Sequence, residues 1–161
     1  MSEGFRGYIV SAPVRGSHFP QRVQNLVVRD YAQRRGLPYR LSLTEYAMPG
    51  STMMLASLLD DLDAVDGIIL FSLFTLPRAA ARRAAIFDRV LGAGKSLHAA
   101  LEQLALRTPA DAAAWNELID IDATLPATPF GGRYEKDATP LGAEAGAALA
   151  AFGITPESSD A

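Results

Sequence analysis

The chain contains no cysteine. That excludes thiol catalysis, structural disulfides and thiolate-bound metal. Histidine is scarce too, with only His18 and His98, so a histidine-rich zinc site is excluded. Neither sign of charge dominates: 15 Lys and Arg stand against 18 Asp and Glu, a formal net charge of −3. Binding by overall basicity is therefore disfavoured, and nucleic acid is not the expected partner. No apolar run approaches the roughly 18 residues of a membrane span. The opening MSEGFRG lacks the apolar stretch of a signal peptide. The expectation is a cytoplasmic chain with no membrane partner, no metal and no cofactor.

What is present is enough for one well-packed domain: 161 residues, 49% of them hydrophobic. Gly7–Ser11 is a short apolar run that breaks into Ala12-Pro13-Val14-Arg15-Gly16-Ser17, a strand followed by a loop. Val23, Leu26/Val27 and Tyr31 then recur at helical spacing, and Gly36-Leu37-Pro38 stops that helix. Tyr39–Tyr46 alternates as a second strand. Ser51 or Thr52 caps a helix carrying Leu55, Leu58/Leu59 and Leu62. Residues 68–73 read as a third, buried strand, and 79–92 as a helix around Ile86, Phe87, Val90 and Leu91. Lys95–Leu101 suits a helix by propensity, but the spacing of elements suits a fourth strand, which is the preferred reading. Residues 109–121 form a helix with Pro109 in its first turn. Beyond about residue 123 the chain turns Pro-, Gly- and Ala-rich, an arm or tail with one weak helix at 141–152.

Strands alternating with helices predict a three-layer α/β/α domain with a mainly parallel sheet of four to five strands. Ligands of such sheets sit beyond the carboxyl ends of the strands. That rim gathers Ser11, Arg15 and His18 after the first strand, Glu45 and Tyr46 after the second, and Ser72, Phe74 and Arg78 after the third. His98 and Glu102 lie on or after the fourth. Glu45 and His98 are the candidate acid/base pair. Glu102 is placed to orient His98. Ser11, Gln24 and Ser72 would orient hydroxyls, Tyr46 or Phe74 would stack on a ligand face, and Arg15, Arg78 or Lys95 would meet an anion. Arg15-Gly16-Ser17-His18 precedes a helix start, where anions are favoured.

Two family resemblances arise from these stretches. Helix 20–35, the strand to Glu45, the Leu-rich helix and the strand leading to Leu73, Leu76 and Arg78 resemble the catalytic domain of serine recombinases (resolvases and invertases). The likeness covers about residues 5–105 and implies a resolvase-like fold. It places Ser11 near the family's nucleophile. Ile9, however, stands where an arginine is usual, and Ser72, Phe74 and Thr75 replace the charged residues of the loop after strand three. Phosphoryl transfer needs dense positive charge on the equatorial oxygens, so the resemblance carries the fold without strand cleavage.

The phrases Arg6-Gly7-Tyr8-Ile9, Arg29-Asp30-Tyr31, Thr44-Glu45-Tyr46-Ala47-Met48-Pro49, Ser72-Leu73-Phe74 and Gly94-Lys95-x-Leu97-His98 resemble the sporadic carbohydrate cluster protein family. That likeness spans about residues 4–106 and implies work on an activated or unusual sugar. Together these readings lead to the expectation of a small enzyme acting on a sugar phosphate or nucleotide sugar by metal-free proton transfer, as an epimerase or isomerase does. The alternatives are a sugar-binding or partner subunit without catalysis, and an inactive recombinase relative. The expected layout is a resolvase-like domain at 1–122 and an arm at 123–161. Recombinase-type domains self-associate, and Trp115, Leu118 and Ile119 offer an apolar face for a homo-oligomer.

Overall fold

The computed structural model describes residues 3–125. Among these residues there are five strands: β1 (Phe5–Val10), β2 (Tyr39–Glu45), β3 (Gly67–Leu70), β4 (Ser96–Ala99) and β5 (Leu104–Leu106). Among the same residues four α-helices accompany them: α1 (Gln21–Arg34), α2 (Met53–Asp60), α3 (Ala80–Gly92) and α4 (Pro109–Thr124). The sheet order is β2-β1-β3-β4-β5. The first four strands run parallel, and β5 returns antiparallel against β4. The expected mainly parallel α/β sheet is the observed one, and within Lys95–Leu101 the strand is Ser96–Ala99.

The connections decide which face each helix covers. The β1-to-β2 crossover steps outward, and the β2-to-β3 crossover steps back across β1. Right-handed connections therefore place α1 on one face and α2 on the other. α3 packs beside α2, and α4 packs on α3 and β5. Strand β3 is buried at all four positions, as a central parallel strand must be. At its start Gly67 is required: a Cβ there would run into the Ser96 carbonyl and the Phe5 ring.

Three expectations are corrected. The third strand ends at Leu70, because the Ser72 hydroxyl accepts from the Phe74 amide at 3.2 Å and caps a 3₁₀ turn over Leu73–Thr75. The helix at 109–121 extends to Thr124, started by a capping box between Thr108 and Asp111. Its apolar face is used within the domain: Trp115 and Ile119 are buried, with Trp115 edge-on to Phe87 of α3. Only Leu118 of the three offered as an interface stays exposed. The weak helix at 141–152 lies outside the described residues.

Candidate strand-end cleft

Glu45 ends β2 and is buried. Its carboxylate accepts from the amides of Met54 at 3.0 Å and Leu55 at 3.2 Å, the second and third residues of α2. It also accepts from the Tyr46 amide at 3.1 Å, the Ser51 hydroxyl at 2.7 Å and the Tyr8 hydroxyl at 3.1 Å. The cap residue Thr52 offers α2 no side-chain hydrogen bond. Glu45 thus supplies, from the neighbouring strand, what a capping side chain would supply, and its charge suits the helix dipole. Burial pushes its carboxyl up, but the donors from Ser51, Leu55, Tyr46 and Tyr8 outweigh that and hold it below the usual carboxylate range. A carboxylate so held is a poor proton acceptor. Burial and the adjacent carboxylate push the Tyr8 phenol up, so it stays a donor.

His98 sits elsewhere. Its Nδ1 is 2.9 Å from the Tyr31 hydroxyl of α1, and its Nε2 is 3.0 Å from the Ser96 hydroxyl. The Phe5 ring meets it edge-on at 5.3 Å. Burial, reinforced by the charges of Arg107 and Arg35, pushes its pKa down to about 4. Glu45 faces α2 and His98 faces α1, so the two groups occupy opposite faces of the sheet. In register, His98 is level with Gly7 through Ile69, while Glu45 is level with Val10. Three strand spacings and three residues separate them, roughly 14 Å across and 10 Å along the sheet. The expected acid/base pairing is therefore corrected: the crossover that puts α1 and α2 on opposite faces separates the two groups.

Most other rim candidates fasten the fold. Gln24 is buried; its amide nitrogen donates to the carbonyls of Val10 at 2.7 Å and Phe19 at 2.8 Å, and its oxygen accepts from the Val10 amide at 3.0 Å. Glu102 does not reach His98. It accepts from the Ser72 hydroxyl at 2.6 Å and the Leu73 amide at 2.8 Å, tying the loop after β3 to the turn after β4. Arg15 pairs with Asp122 of α4 at 2.7 Å and lies over the Phe74 ring at 4.9 Å. His18 is exposed. Lys95 directly precedes β4 and so stands at the amino end of the strands, away from the rim. Ser11 accepts from the Gln21 side chain at 3.0 Å, at the start of α1.

What the rim does enclose is a cleft of about 440 Å³. Tyr46 and Phe74 form walls, Glu45 and Ser51 lie at its β2 side, and Arg78, Ala79 and Arg82 line the other. Ser11 does not line it. Arg82 donates to the Thr52 hydroxyl at 2.6 Å, a neutral partner, and has no acidic partner among the described residues. Arg78 is exposed and has no acidic partner among the described residues. Ala79 caps α3 without a side-chain hydrogen bond, and the first turn of α3 holds no acid. One wall of the cleft is thus an uncapped helix start flanked by two guanidinium groups. Arg82 was missed in the sequence, although its four-residue spacing from Arg78 is visible there. Its neighbour Arg83 does not line the cleft. It is buried, and it bonds to the carbonyls of Pro77 and Arg78, to Asn116 at 2.9 Å and to Asp120 at 2.8 Å.

No family model and no curated protein matches this chain. Its structure is similar to the crystal structure of the N-terminal catalytic domain of TP901-1 integrase, with a TM-score of 0.51 and 16% identity over 73% of this chain and 94% of that one.

The fold is resolvase-like.

This corrects the expected function. The likeness is to a recombinase catalytic domain, and no carbohydrate enzyme is among the matches, so the sugar-biosynthetic reading drawn from short phrases falls. Its proposed acid/base pair is divided by the sheet. Among the described residues, no group of three or more His, Asp or Glu side chains gathers to hold a metal ion. No described helix is long and apolar enough to cross a membrane.

Proposed function

We propose that this resolvase-like domain is a non-cleaving relative of the serine recombinases, and that its strand-end cleft binds a single phosphate or phosphodiester group. One observation carries the reading: the cleft joins the uncapped start of α3 to Arg78 and Arg82, and excludes Ser11. Unfilled helix amides and guanidinium donors are complementary to a phosphate. The neighbouring helix offers an internal parallel, since the start of α2 already holds a carboxylate, that of Glu45. Cleavage would need a nucleophile in the same cavity as the positive charge. Here the Ser11 hydroxyl accepts from Gln21 beside α1, and Ile9 is a buried core residue.

The size of the cleft fits a small ligand or one backbone phosphate. Acidic and basic side chains balance over residues 3–125, which does not suit the long, salt-dependent footprint of a duplex binder. Tyr46, which is half exposed, and Phe74 offer aromatic surface beside the anion site.

Titration of a short deoxydinucleotide by calorimetry tests this. The native chain is expected to bind it, and Arg78→Ala and Arg82→Ala are each expected to weaken binding by about tenfold. Intact-protein mass is expected to show no covalent adduct after incubation with DNA. A serine-linked adduct, or binding indifferent to both arginines, overturns the reading.

A further inference from the structure

A second cationic hollow lies away from the strand ends, along the outer edge of the sheet. It encloses about 800 Å³ and shares no residue with the strand-end cleft. Arg6 of β1, Arg29 of α1 and Arg40 of β2 line it, so three separate elements each bring an arginine to one space. Among the described residues, no acid lines it. Neither Arg6 nor Arg29 has an acidic partner among the described residues. Arg40 meets Glu3 at 3.4 Å, but both side chains are about half exposed, and such a pair compensates little charge.

The Nε of Arg6 carries the point further. It is buried and has no hydrogen-bond partner among the described residues. Buried guanidinium nitrogens are normally satisfied, so this one leaves the Arg6 side chain under-satisfied beside the hollow that the residue lines. Three like charges lining one hollow favour an anionic occupant. Asn25, Tyr39 and Ser42 complete the lining with neutral donors.

We propose that this groove binds a polyphosphate, a ligand with two or more linked phosphate groups. A single phosphate can satisfy one or two guanidinium forks. Three forks arriving from three elements of an opening this size match a chain of phosphates better than one. Arginine, with its planar fork, is also the residue suited to paired contacts with phosphate oxygens.

Calorimetric titration of the full chain with inorganic tripolyphosphate and with ATP tests the proposal. Both are expected to bind. Arg29→Ala and Arg40→Ala, two exposed positions whose loss leaves the core intact, are each expected to weaken binding at least about tenfold. Equal affinity for the two probes assigns the ligand to the phosphate chain alone; tighter ATP binding assigns it to a nucleotide; both results uphold the site. Absence of binding by both probes overturns it. So does affinity unchanged by Arg29→Ala and Arg40→Ala, or lost only in Arg78→Ala, which would assign the polyphosphate to the strand-end cleft.

Discussion

The carboxylate of Glu45 and the imidazole of His98 point to opposite faces of one sheet, the first toward α2 and the second toward α1. Each is buried and fully engaged by neighbours of its own layer. Both are therefore read as parts of the scaffold, and their loss acts on stability.

Glu45→Gln removes the charge that holds the start of α2. Hydrogen bonds to charged groups contribute about 1.5–3 kcal/mol each, and the substitution weakens several at once. An expected loss of about 2–4 kcal/mol in unfolding free energy follows, read by urea denaturation. Ser51→Ala, which removes one donor at 2.7 Å, is expected to cost less, about 1–2 kcal/mol.

His98 gives the domain an acid limit. Its folded pKa is about 4 against an ordinary 6.5, so the unfolded chain takes up the proton first. Stability is unaffected by this group above pH 6.5, falls as pH drops from 6.5 toward 4, and loses about 3 kcal/mol across that window. Glu45, held below its ordinary 4.5, adds a further loss only as pH falls below that value. Denaturation midpoints measured from pH 8 to pH 4 are expected to show the decline, and His98→Gln is expected to flatten it between pH 6.5 and 4.5.

Arg83 joins α3 to α4 from inside. Truncation to alanine leaves Asn116 and two backbone carbonyls without a donor, and is expected to destabilise by about 3–5 kcal/mol. Its partner Asp120 is 67% exposed, so Asp120→Asn is expected to change stability by less than about 1 kcal/mol. Equal effects of the two substitutions in thermal unfolding would contradict this division.

The alternation of strand and helix was legible because each element announces its own period: Val23, Val27 and Tyr31 on α1, the unbroken apolar run of β3, the Gly-Leu-Pro stop after α1. β5 was not, since Leu104–Leu106 is too short to show a period and pairs antiparallel with β4. The site was harder. An acid at a strand end looks like a base in sequence. Only the packing of α2 shows its oxygens filled, although Ser51-Thr52 nearby marked a helix start in need of a cap. Arg83 carried no signal at all, because Arg82, Arg83 and Arg89 look alike until α4 covers one of them. The strand-end position of Arg78 was readable from the topology, and its four-residue spacing from Arg82 was available but unused.

The most direct test of the account is a crystal structure of the chain soaked with a deoxydinucleotide. The account predicts a phosphate between Arg78, Arg82 and the start of α3, with the Ser11 hydroxyl still bonded to Gln21. A phosphate esterified to Ser11, or an empty cleft with the nucleotide bound elsewhere, would contradict it.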